Sequence, residues 1–401
     1  MTPSPTTLDL LKNRPLLTLM LGHFTVDTYA GLLPVLYPVL VHQYSLDLKT
    51  VGLVSLAYGG ASSIVQPLFG WIADKRGTRL IGVALVWTAS AFALIGVAAS
   101  FPMLVCMAAL AGIGSGMYHP FGALNASIVI ADPRQRNTGM SVYVTGGTLG
   151  VALGPLLGVI LFGAFGPMGA ALTFPFGVAV ALWLLSEMRA MGSFRSAARS
   201  VRTSSPAAVP LLPMLAVIGV MMSRQWTMSS LQAYIPTWFH SLGYAPSFYG
   251  PLATTVVLAS AVGAIGAGSI ADRFGRRRVI IVSLILTVPF LLLFAQFQGP
   301  LSFLTVALVG LSAASTGPLM IVLAQQLMVG RAGTAAGLIL GLGFIGGAVG
   351  IPIMGALADS YGMVTAVRLQ VIVVAATIFL ALLLPSETRM ATLRARAAMI
   401  D

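Results

Sequence analysis

An aspartate stands inside the first long apolar run of the chain, which covers residues 15 to 40. Asp27 lies twelve residues after Pro15, so a helix rising about 1.5 Å per residue places it roughly 18 Å along the run. That depth is close to the middle of a hydrocarbon core about 30 Å thick. A carboxylate there is costly and usually faces a wet cavity or a protein interior. Asp27 is therefore the leading candidate for taking up and releasing a proton; the alternative is a structural carboxylate paired to a neighbouring helix.

Three other ionisable residues lie in apolar runs and could act with Asp27. His23 precedes Asp27 by one helical turn on the same face and could share its proton. Arg224, in the seventh run, could bind an anionic substrate group in a bidentate manner or simply neutralise Asp27. His119 is a candidate substrate-binding residue because it precedes Pro120, whose missing N–H frees a carbonyl and bends the helix, a feature typical of a cavity lining. Each histidine could equally be a satisfied packing residue.

Polar and aromatic side chains would complete a substrate site if their helices face inward. The candidates are Tyr29, Tyr118, Tyr143, Gln225, Trp226, Gln232 and Tyr234. A helix that is apolar all round has little amphipathic character, so the pattern does not determine its inward face. No nucleophile or metal-ligand constellation is visible in the sequence, which therefore predicts no enzyme, no metal site and no cofactor.

Composition places the chain in a membrane. Of its 401 residues, 57% are hydrophobic and 8% are charged, against about 25% charged residues in soluble proteins. The net charge of +12 could indicate nucleic acid, but its distribution argues otherwise. A chain of twelve spans with both termini in the cytoplasm would place every Lys and Arg on the cytoplasmic side except Lys49, Arg224 and Arg368. This is the distribution that the positive-inside rule requires. The charge pattern predicts a multi-pass membrane protein with both termini cytoplasmic.

Apolar runs of spanning length divide the chain into two halves. Six fall within residues 1–188 and six within residues 211–401, on either side of a polar stretch at 189–210. They predict an all-α membrane protein with an N-terminal six-helix bundle, a cytoplasmic linker, and a C-terminal six-helix bundle that ends in a cytoplasmic tail.

The two halves repeat with an offset of 198 residues, so that Asp74 matches Asp272 and Pro120 matches Pro318. Because each half has six spans, the second half enters the membrane in the same orientation as the first. This predicts two bundles related by a pseudo-two-fold axis along the membrane normal, with a substrate path between them.

The loop after the second span and its repeat carry a shared pattern. Residues 70–79 and 268–278 resemble the cytoplasmic signature of the major facilitator superfamily, G-x-x-x-D-[RK]-x-G-[RK]-[RK], from which the first copy departs at Thr78. The glycine allows two helices to pack closely, and the aspartate caps a helix terminus or forms an ion pair there. The basic residues keep the loop on the cytoplasmic side of the membrane. The residues expected to form a conformational gate are Gly70, Asp74, Arg76, Gly77, Gly268, Asp272, Arg273, Gly275 and Arg276.

Other motifs resemble the fosmidomycin-resistance family of drug exporters. They are His23-x-x-x-Asp27, Gln66-Pro67-x-x-Gly70, Gly114-Ser115-Gly116-x-x-His119-Pro120, and Ala324-Gln325 followed by Gly330-Arg331. The glycines of the fifth span, Gly146, Gly147, Gly150, Gly154 and Gly158, together with Pro155, resemble a signature common in the antiporters of the superfamily. The resemblance implies the major facilitator fold, a place in the bacterial inner membrane, and proton-driven efflux of a small antibiotic or metabolite.

Three functions remain open from the sequence. The preferred one is a proton–substrate antiporter that exports a small drug or metabolite, and Arg224 favours a phosphonate or another organic anion. The second is a proton-coupled uptake symporter for a small organic anion, and the third is a transport-dead receptor on the same fold. The expected partners are a small-molecule substrate, protons and the lipid bilayer, without nucleic acid, and the chain is expected to be a monomer.

Overall fold

The computed structural model describes residues 10, 12–45, 53–130, 132–190, 209–313 and 316–398. Throughout these ranges the chain is helical with short connections and contains no strand. The helices of the first half are α1 (Arg14–Tyr44), α2 (Leu53–Arg76), α3 (Ile81–Ile95), α4 (Phe101–Val129), α5 (Arg136–Phe165) and α6 (Thr173–Ala190). Two short 3₁₀ turns, Pro133–Gln135 and Gly166–Ala170, flank α5.

The second half has the same order of elements. Its helices are α7 (Leu211–Ser241), α8 (Pro246–Phe274), α9 (Arg276–Gln296), α10 (Ser302–Ala313), α11 (Thr316–Leu327), α12 (Ala332–Tyr361), α13 (Met363–Leu382) and α14 (Glu387–Ala398). The predicted tenth span is described as α10 and α11, with residues 314 and 315 between them outside the described residues. Most of the predicted linker, residues 191–208, also lies outside them.

The surface of the helices fits a lipid environment. Eight helical stretches within the described ranges are long and apolar enough to cross a bilayer, judged by length and composition. Large apolar side chains lie on the outside, such as Ile64 at 76% exposure and Phe379 at 70%. Helices suit this solvent because they satisfy their own backbone N–H and C=O groups. The chain is a multi-pass membrane protein.

The chain divides into two compact units. Unit 1 comprises Met1–Ala131, Val142–Ser204 and Gly330–Gly341, and unit 2 comprises Asp132–Ser141, Ser205–Val329 and Leu342–Asp401. Each unit therefore includes a short piece from the other half of the sequence. The first turns of α12 belong to unit 1, and the first turns of α5 belong to unit 2.

Glycines bring α5 directly against α1 in unit 1. A Cβ at Gly146 would meet the carbonyl oxygen of Met20, and one at Gly150 would meet that of Phe24. At Gly154 a Cβ would lie 2.8 Å from the Cα of Gly31. Small residues at such spacing allow two membrane helices to pack backbone to backbone. The glycine-rich fifth span thus serves close packing, and it fixes α5 beside the polar face of α1.

Unit 2 uses the same device between α12 and α7. A Cβ at Gly346 would contact the backbone of Met222, and one at Gly350 would lie 2.5 Å from the ring of Trp226. Gly347 lies against Ser229, whose Oγ would be 2.6 Å from an added Cβ. In each unit a glycine-lined helix therefore supports the helix that carries the membrane-embedded polar residues.

Asp74 and Asp272 each accept hydrogen bonds from the first turn of another helix. Asp74, at the end of α2, accepts the backbone N–H groups of Gly333 and Thr334 at 2.7 Å each, and the Thr334 hydroxyl at 2.5 Å. These contacts lie within unit 1. A carboxylate at a helix N-terminus satisfies N–H groups that lack intrahelical partners and complements the helix dipole.

Asp272, at the end of α8, repeats this arrangement within unit 2. It accepts the backbone N–H groups of Asn137 at 3.0 Å and Thr138 at 2.8 Å, and also their side chains at 2.7 and 2.6 Å. Gly268 packs against Ser141 one turn earlier, as Gly70 packs against Gly333 in unit 1. The two copies of the loop motif thus anchor α12 and α5 by their N-termini.

After each aspartate the chain turns at a glycine, Gly77 with φ of 78° and Gly275 with φ of 87°. These left-handed conformations end α2 and α8 at low cost only for glycine.

Beyond the turn the two copies of the loop motif differ. Thr78 is buried and donates its hydroxyl to Asn125 Oδ1 at 2.9 Å, whereas Arg276 is buried and pairs with Glu387 on α14 through two contacts of 2.9 Å. Arg76 and Arg273 are exposed.

Replacing either capping aspartate should destabilise the protein. Asp74→Ala and Asp272→Ala remove the acceptor for N–H groups that have no intrahelical partner, and we expect each to lower the free energy of unfolding by about 1–2 kcal/mol. Thermal unfolding in detergent, followed by tryptophan fluorescence, measures this. Asp359→Ala, at an exposed position near the end of α12, is the control and should change the midpoint little. Equal midpoints for all three variants would contradict the capping role.

Candidate functional site

Two histidines bridge one carboxylate in unit 1. His23 and Asp27 lie one turn apart on α1, and His119 lies on α4. His23 Nε2 is 3.3 Å from Asp27 Oδ2, and His119 Nε2 is 3.1 Å from Asp27 Oδ1. Each carboxylate oxygen therefore faces a separate imidazole. His119, which the sequence analysis assigned to substrate binding, lies in direct contact with the predicted proton-coupling residues.

The other nitrogen of each imidazole faces a backbone carbonyl. His23 Nδ1 is 3.1 Å from the carbonyl oxygen of Tyr143, and His119 Nδ1 is 2.7 Å from that of Ser115. Because a carbonyl oxygen only accepts hydrogen bonds, both Nδ1 atoms must carry hydrogen, which assigns the tautomer. A neutral ring then points the Nε2 lone pair at the carboxylate. Each contact with Asp27 consequently requires a proton or another cation between the two atoms.

Tyrosines enclose the cluster. The Tyr143 ring stacks on His23 with centroids 4.6 Å apart, and the Tyr143 hydroxyl is 3.4 Å from the carbonyl oxygen of His119. Tyr118 donates its hydroxyl to Leu19 at 2.7 Å, and Tyr58 donates to Val26 at 3.3 Å. These bonds occupy backbone carbonyls of α1 and hold α2 and α4 against it. Tyr118 and Tyr143 therefore lie beside the cluster, and their role in substrate binding stays a prediction.

A glycine that the sequence analysis did not assign to the site contacts the cluster directly. A Cβ at Gly147 of α5 would meet Asp27 Oδ2 and would lie 2.5 Å from His23 Nε2. Only a residue without a side chain allows the α5 backbone this close to the carboxylate. The signal was present as a run of small residues in the fifth span, but its spacing alone does not show which glycine faces which helix.

Burial is uneven across the cluster. The side chains of His23 and His119 are 5% and 3% exposed, whereas that of Asp27 is 16% exposed. The imidazoles are thus held inside the protein, and the carboxylate is the point of access. Such an arrangement can exchange a cation with an aqueous cavity while keeping its ligands fixed.

Tyr29 lies away from the cluster. It is buried in an apolar core that includes Leu33, Phe92 and Leu104, its ring is 4.9 Å from that of Phe92, and its hydroxyl donates to the carbonyl oxygen of Thr173 at 3.2 Å. Its contacts are those of a packing residue that satisfies its single polar group.

The polar centre of unit 2 is Arg224 on α7. Its NH1 donates to Gln225 Oε1 at 3.0 Å, and Gln225 in turn donates to Ser229 Oγ at 3.1 Å. A Cβ at Gly317 of α11 would lie 3.0 Å from the guanidinium carbon. Among the ion pairs of the described residues none involves Arg224, and its Nε is buried without a hydrogen-bond partner there.

Other residues predicted to line the site lie along α7. Trp226 packs its ring against Gly350, and its Nε1 is buried without a partner within the described ranges. Tyr234 donates its hydroxyl to the carbonyl oxygen of Ile351 at 3.0 Å, and Gln232 is half-buried. Apart from Tyr29, the predicted residues thus fall into two groups, one around Asp27 in unit 1 and one along α7 in unit 2.

Comparison with known proteins assigns the chain to a family. The model of the Major Facilitator Superfamily matches residues 19–238 and 214–398. The protein belongs to this superfamily, has its all-α membrane fold with two six-helix halves, and is a transporter rather than an enzyme. The resemblance of the loop motifs at Asp74 and Asp272 is confirmed.

Among curated proteins, the chain is 29% identical to the uncharacterized MFS-type transporter YfnC of Bacillus subtilis (strain 168), over 92% of either chain. It is 27% identical to the fosmidomycin resistance protein of Escherichia coli (strain K12), covering 84% of this chain and 85% of the relative. Among solved structures, the human organic anion transporter MFSD10 (TETRAN) superposes with a TM-score of 0.75 at 20% identity, covering 92% of this chain and 99% of the other. The predicted resemblance to the fosmidomycin-resistance family is confirmed.

The fit of Gly147 against the cluster can be tested by adding one methyl group. We expect Gly147→Ala to displace the Asp27 carboxylate or α5 and to lower the thermal midpoint in detergent. Gly163→Ala is a matched control in the same helix, because a Cβ there meets nothing within 4 Å. Alanine is favoured over glycine in a helix by roughly 1 kcal/mol, so the control should be neutral or slightly stabilised. A Gly147→Ala variant as stable as Gly163→Ala would show that the contact is not tight.

Proposed function

We propose that the protein is a proton-coupled secondary transporter that exports a small drug or metabolite across the bacterial inner membrane. Two six-helix halves would rock about a central site, with both termini in the cytoplasm. The observation that carries the proposal is the bridging of Asp27 by His23 and His119. An ionisable residue inside a membrane span is by default a candidate functional site, and here it faces two imidazoles, each of which can carry hydrogen on either ring nitrogen.

The proton step follows from the hydrogen-bond geometry. In the loaded state, protons lie on the contacts between Asp27 and the two Nε2 atoms, so that the closed cluster is fully hydrogen-bonded. When the protons leave, the Nε2 lone pairs of both histidines face the negatively charged carboxylate of Asp27. Their mutual repulsion favours separation of the imidazoles from the carboxylate. Loading from outside, release inside and capture of substrate in the deprotonated state would make proton and substrate binding mutually exclusive, a reciprocal negative coupling.

Export is favoured by the relatives. The name of the Escherichia coli relative associates it with resistance to fosmidomycin, and resistance carried by a transporter is most simply explained by efflux. An uptake symporter would use the same groups but would bind proton and substrate together. The two differ in the direction of proton flow relative to substrate, which can be measured directly.

The substrate class is proposed from Arg224. Its NH1 is engaged by Gln225, while its Nε is buried without a partner among the described residues. The Nε edge of a guanidinium presents two parallel N–H donors that match a carboxylate or phosphonate. A cation inside a membrane span without an ion pair is costly, and an anionic group of the substrate would offset that cost. We therefore place the anionic end of a phosphonate or organic acid at Arg224.

Substitution of Asp27 should uncouple the transporter. With purified protein in liposomes that contain a pH-sensitive dye, fosmidomycin and simple organic acids are supplied in turn, and proton movement is recorded. We expect wild type to move protons opposite to the substrate, and Asp27→Asn to abolish this response because it removes the titrating carboxylate. Asp359→Asn, at an exposed position, is the control and should behave as wild type.

Three other outcomes of that experiment would each contradict a different part of the proposal. Proton movement in the same direction as substrate would replace the antiporter with the symporter. Coupling that persists in Asp27→Asn would remove the cluster from the mechanism. Absence of any response to the whole series, in protein that is folded and correctly inserted, would count against transport of these compounds.

Substitution of Arg224 should affect anionic substrates selectively. We expect Arg224→Gln to abolish transport of phosphonates and carboxylates and Arg224→Lys to retain a fraction, because lysine keeps the charge but not the planar fork. The readout is uptake of labelled compounds into inverted vesicles, compared with lipophilic cations. Arg368→Gln serves as control, since Arg368 is exposed and contacts Gln296. Transport of lipophilic cations only, unchanged by Arg224→Gln, would overturn the proposed substrate class.

A further inference from the structure

We propose that His23, Asp27 and His119 together bind one divalent transition-metal ion of the Zn²⁺ class. The ligands would be Nε2 of each histidine and the carboxylate of Asp27, whose donor atoms all lie within 4.8 Å of one another. This proposal concerns binding by the folded protein and does not depend on the direction or substrate of transport.

The donor spacing suits a metal of this size. Zn²⁺ forms bonds of about 2.0–2.1 Å to histidine nitrogen and carboxylate oxygen in a tetrahedral arrangement, which places neighbouring donors roughly 3.3 Å apart. The distances from Asp27 to the two Nε2 atoms are 3.3 and 3.1 Å. Each distance joins a different oxygen of Asp27, and the donor atoms as a set lie within 4.8 Å of one another. An ion would therefore be held after rotation of the imidazoles and the carboxylate toward one point.

The surroundings of the histidines match those of metal ligands. A ligating imidazole almost always donates its other N–H to a carbonyl or carboxylate, which fixes the tautomer and the ring orientation. Both Nδ1 atoms do so here, toward Tyr143 and Ser115. Stacking of Tyr143 on His23 restrains that ring further. The two Nε2 lone pairs are thus directed at the carboxylate of Asp27 before any ion binds.

The ligand set also selects the ion. Two imidazoles and one carboxylate suit Zn²⁺, Co²⁺, Ni²⁺ or Cu²⁺, whereas Mg²⁺ and Ca²⁺ prefer ligand sets made of oxygen alone. With three protein ligands, a fourth position remains for water or an anionic group, on the side where Asp27 is 16% exposed. Because metal and protons would use the same lone pairs, bound Zn²⁺ would exclude the protonated cluster.

Binding is tested on the full chain, purified in detergent with a tag that contains no histidine and stripped with a chelator. The chain has four histidines, so a His42→Gln/His240→Gln background leaves only the two of the cluster. Titration with Co²⁺ should give the visible absorption of a tetrahedral site, saturating at one ion per chain and displaced by Zn²⁺. Adding His119→Gln or Asp27→Asn to this background should weaken binding at least about tenfold, as loss of a ligand does.

A second measurement uses wild-type protein and therefore does not depend on whether the ligand variants fold. In wild-type protein labelled with ¹⁵N-histidine, Zn²⁺ should move the Nε2 resonances of two histidines and leave their Nδ1 atoms protonated. The single variants His42→Gln and His240→Gln assign the remaining two signals. Binding that is not stoichiometric, survives loss of His119, or leaves the Nε2 signals of His23 and His119 unmoved would overturn the proposal.

Discussion

The polar interior of unit 1 depends on the contact between one carboxylate and two imidazoles. Leaving Asp27 uncompensated inside a membrane span would be costly, and the histidines remove that cost only while a cation lies between the paired atoms. That requirement organises the neighbouring helices: α1 carries Asp27, α4 supplies His119, and α5 supplies the carbonyl that fixes His23. Gly147 permits the approach, since any larger residue would occupy the position of the carboxylate.

The two units place charge differently on equivalent helices. The repeat offset of 198 makes Gln225 the counterpart of Asp27 and Arg224 the counterpart of Val26. In unit 1 the carboxylate is met by side chains of the same unit, whereas in unit 2 the amide at the equivalent position accepts a hydrogen bond from the guanidinium beside it. A neutral amide orients the arginine without cancelling its charge. The cation therefore keeps its full charge, whereas the aspartate is bridged by two imidazoles.

Much of the fold follows from the sequence because its signals are local or repeated. Apolar run length predicted the membrane helices, so that the run at 15–40 corresponds to α1 at Arg14–Tyr44, and the paired loops predicted the capping role of Asp74 and Asp272. The pairing of His23 with Asp27 was accessible because both lie on one turn of one helix.

The cluster itself could not be read from the sequence. His119 lies on a different helix, and its approach to Asp27 depends on how α1, α4 and α5 rotate about their axes. Helices that are apolar all round do not reveal this rotation. The same difficulty applies to Tyr29, which was predicted to line the site but packs against Phe92 in the apolar core, and to the choice of Gly147 among the glycines of α5.

The pairing of Arg276 with Glu387 makes the helix after the last span part of the folded unit. Thr78, at the equivalent position of the first half, is satisfied by Asn125 of α4, whereas Arg276 is buried and its counter-ion lies on the first turn of α14. A buried guanidinium that loses its partner carries an uncompensated charge. A chain that stops after α13 would therefore lack the counter-ion of Arg276, so α14 belongs to the smallest segment of unit 2 that can keep this position satisfied.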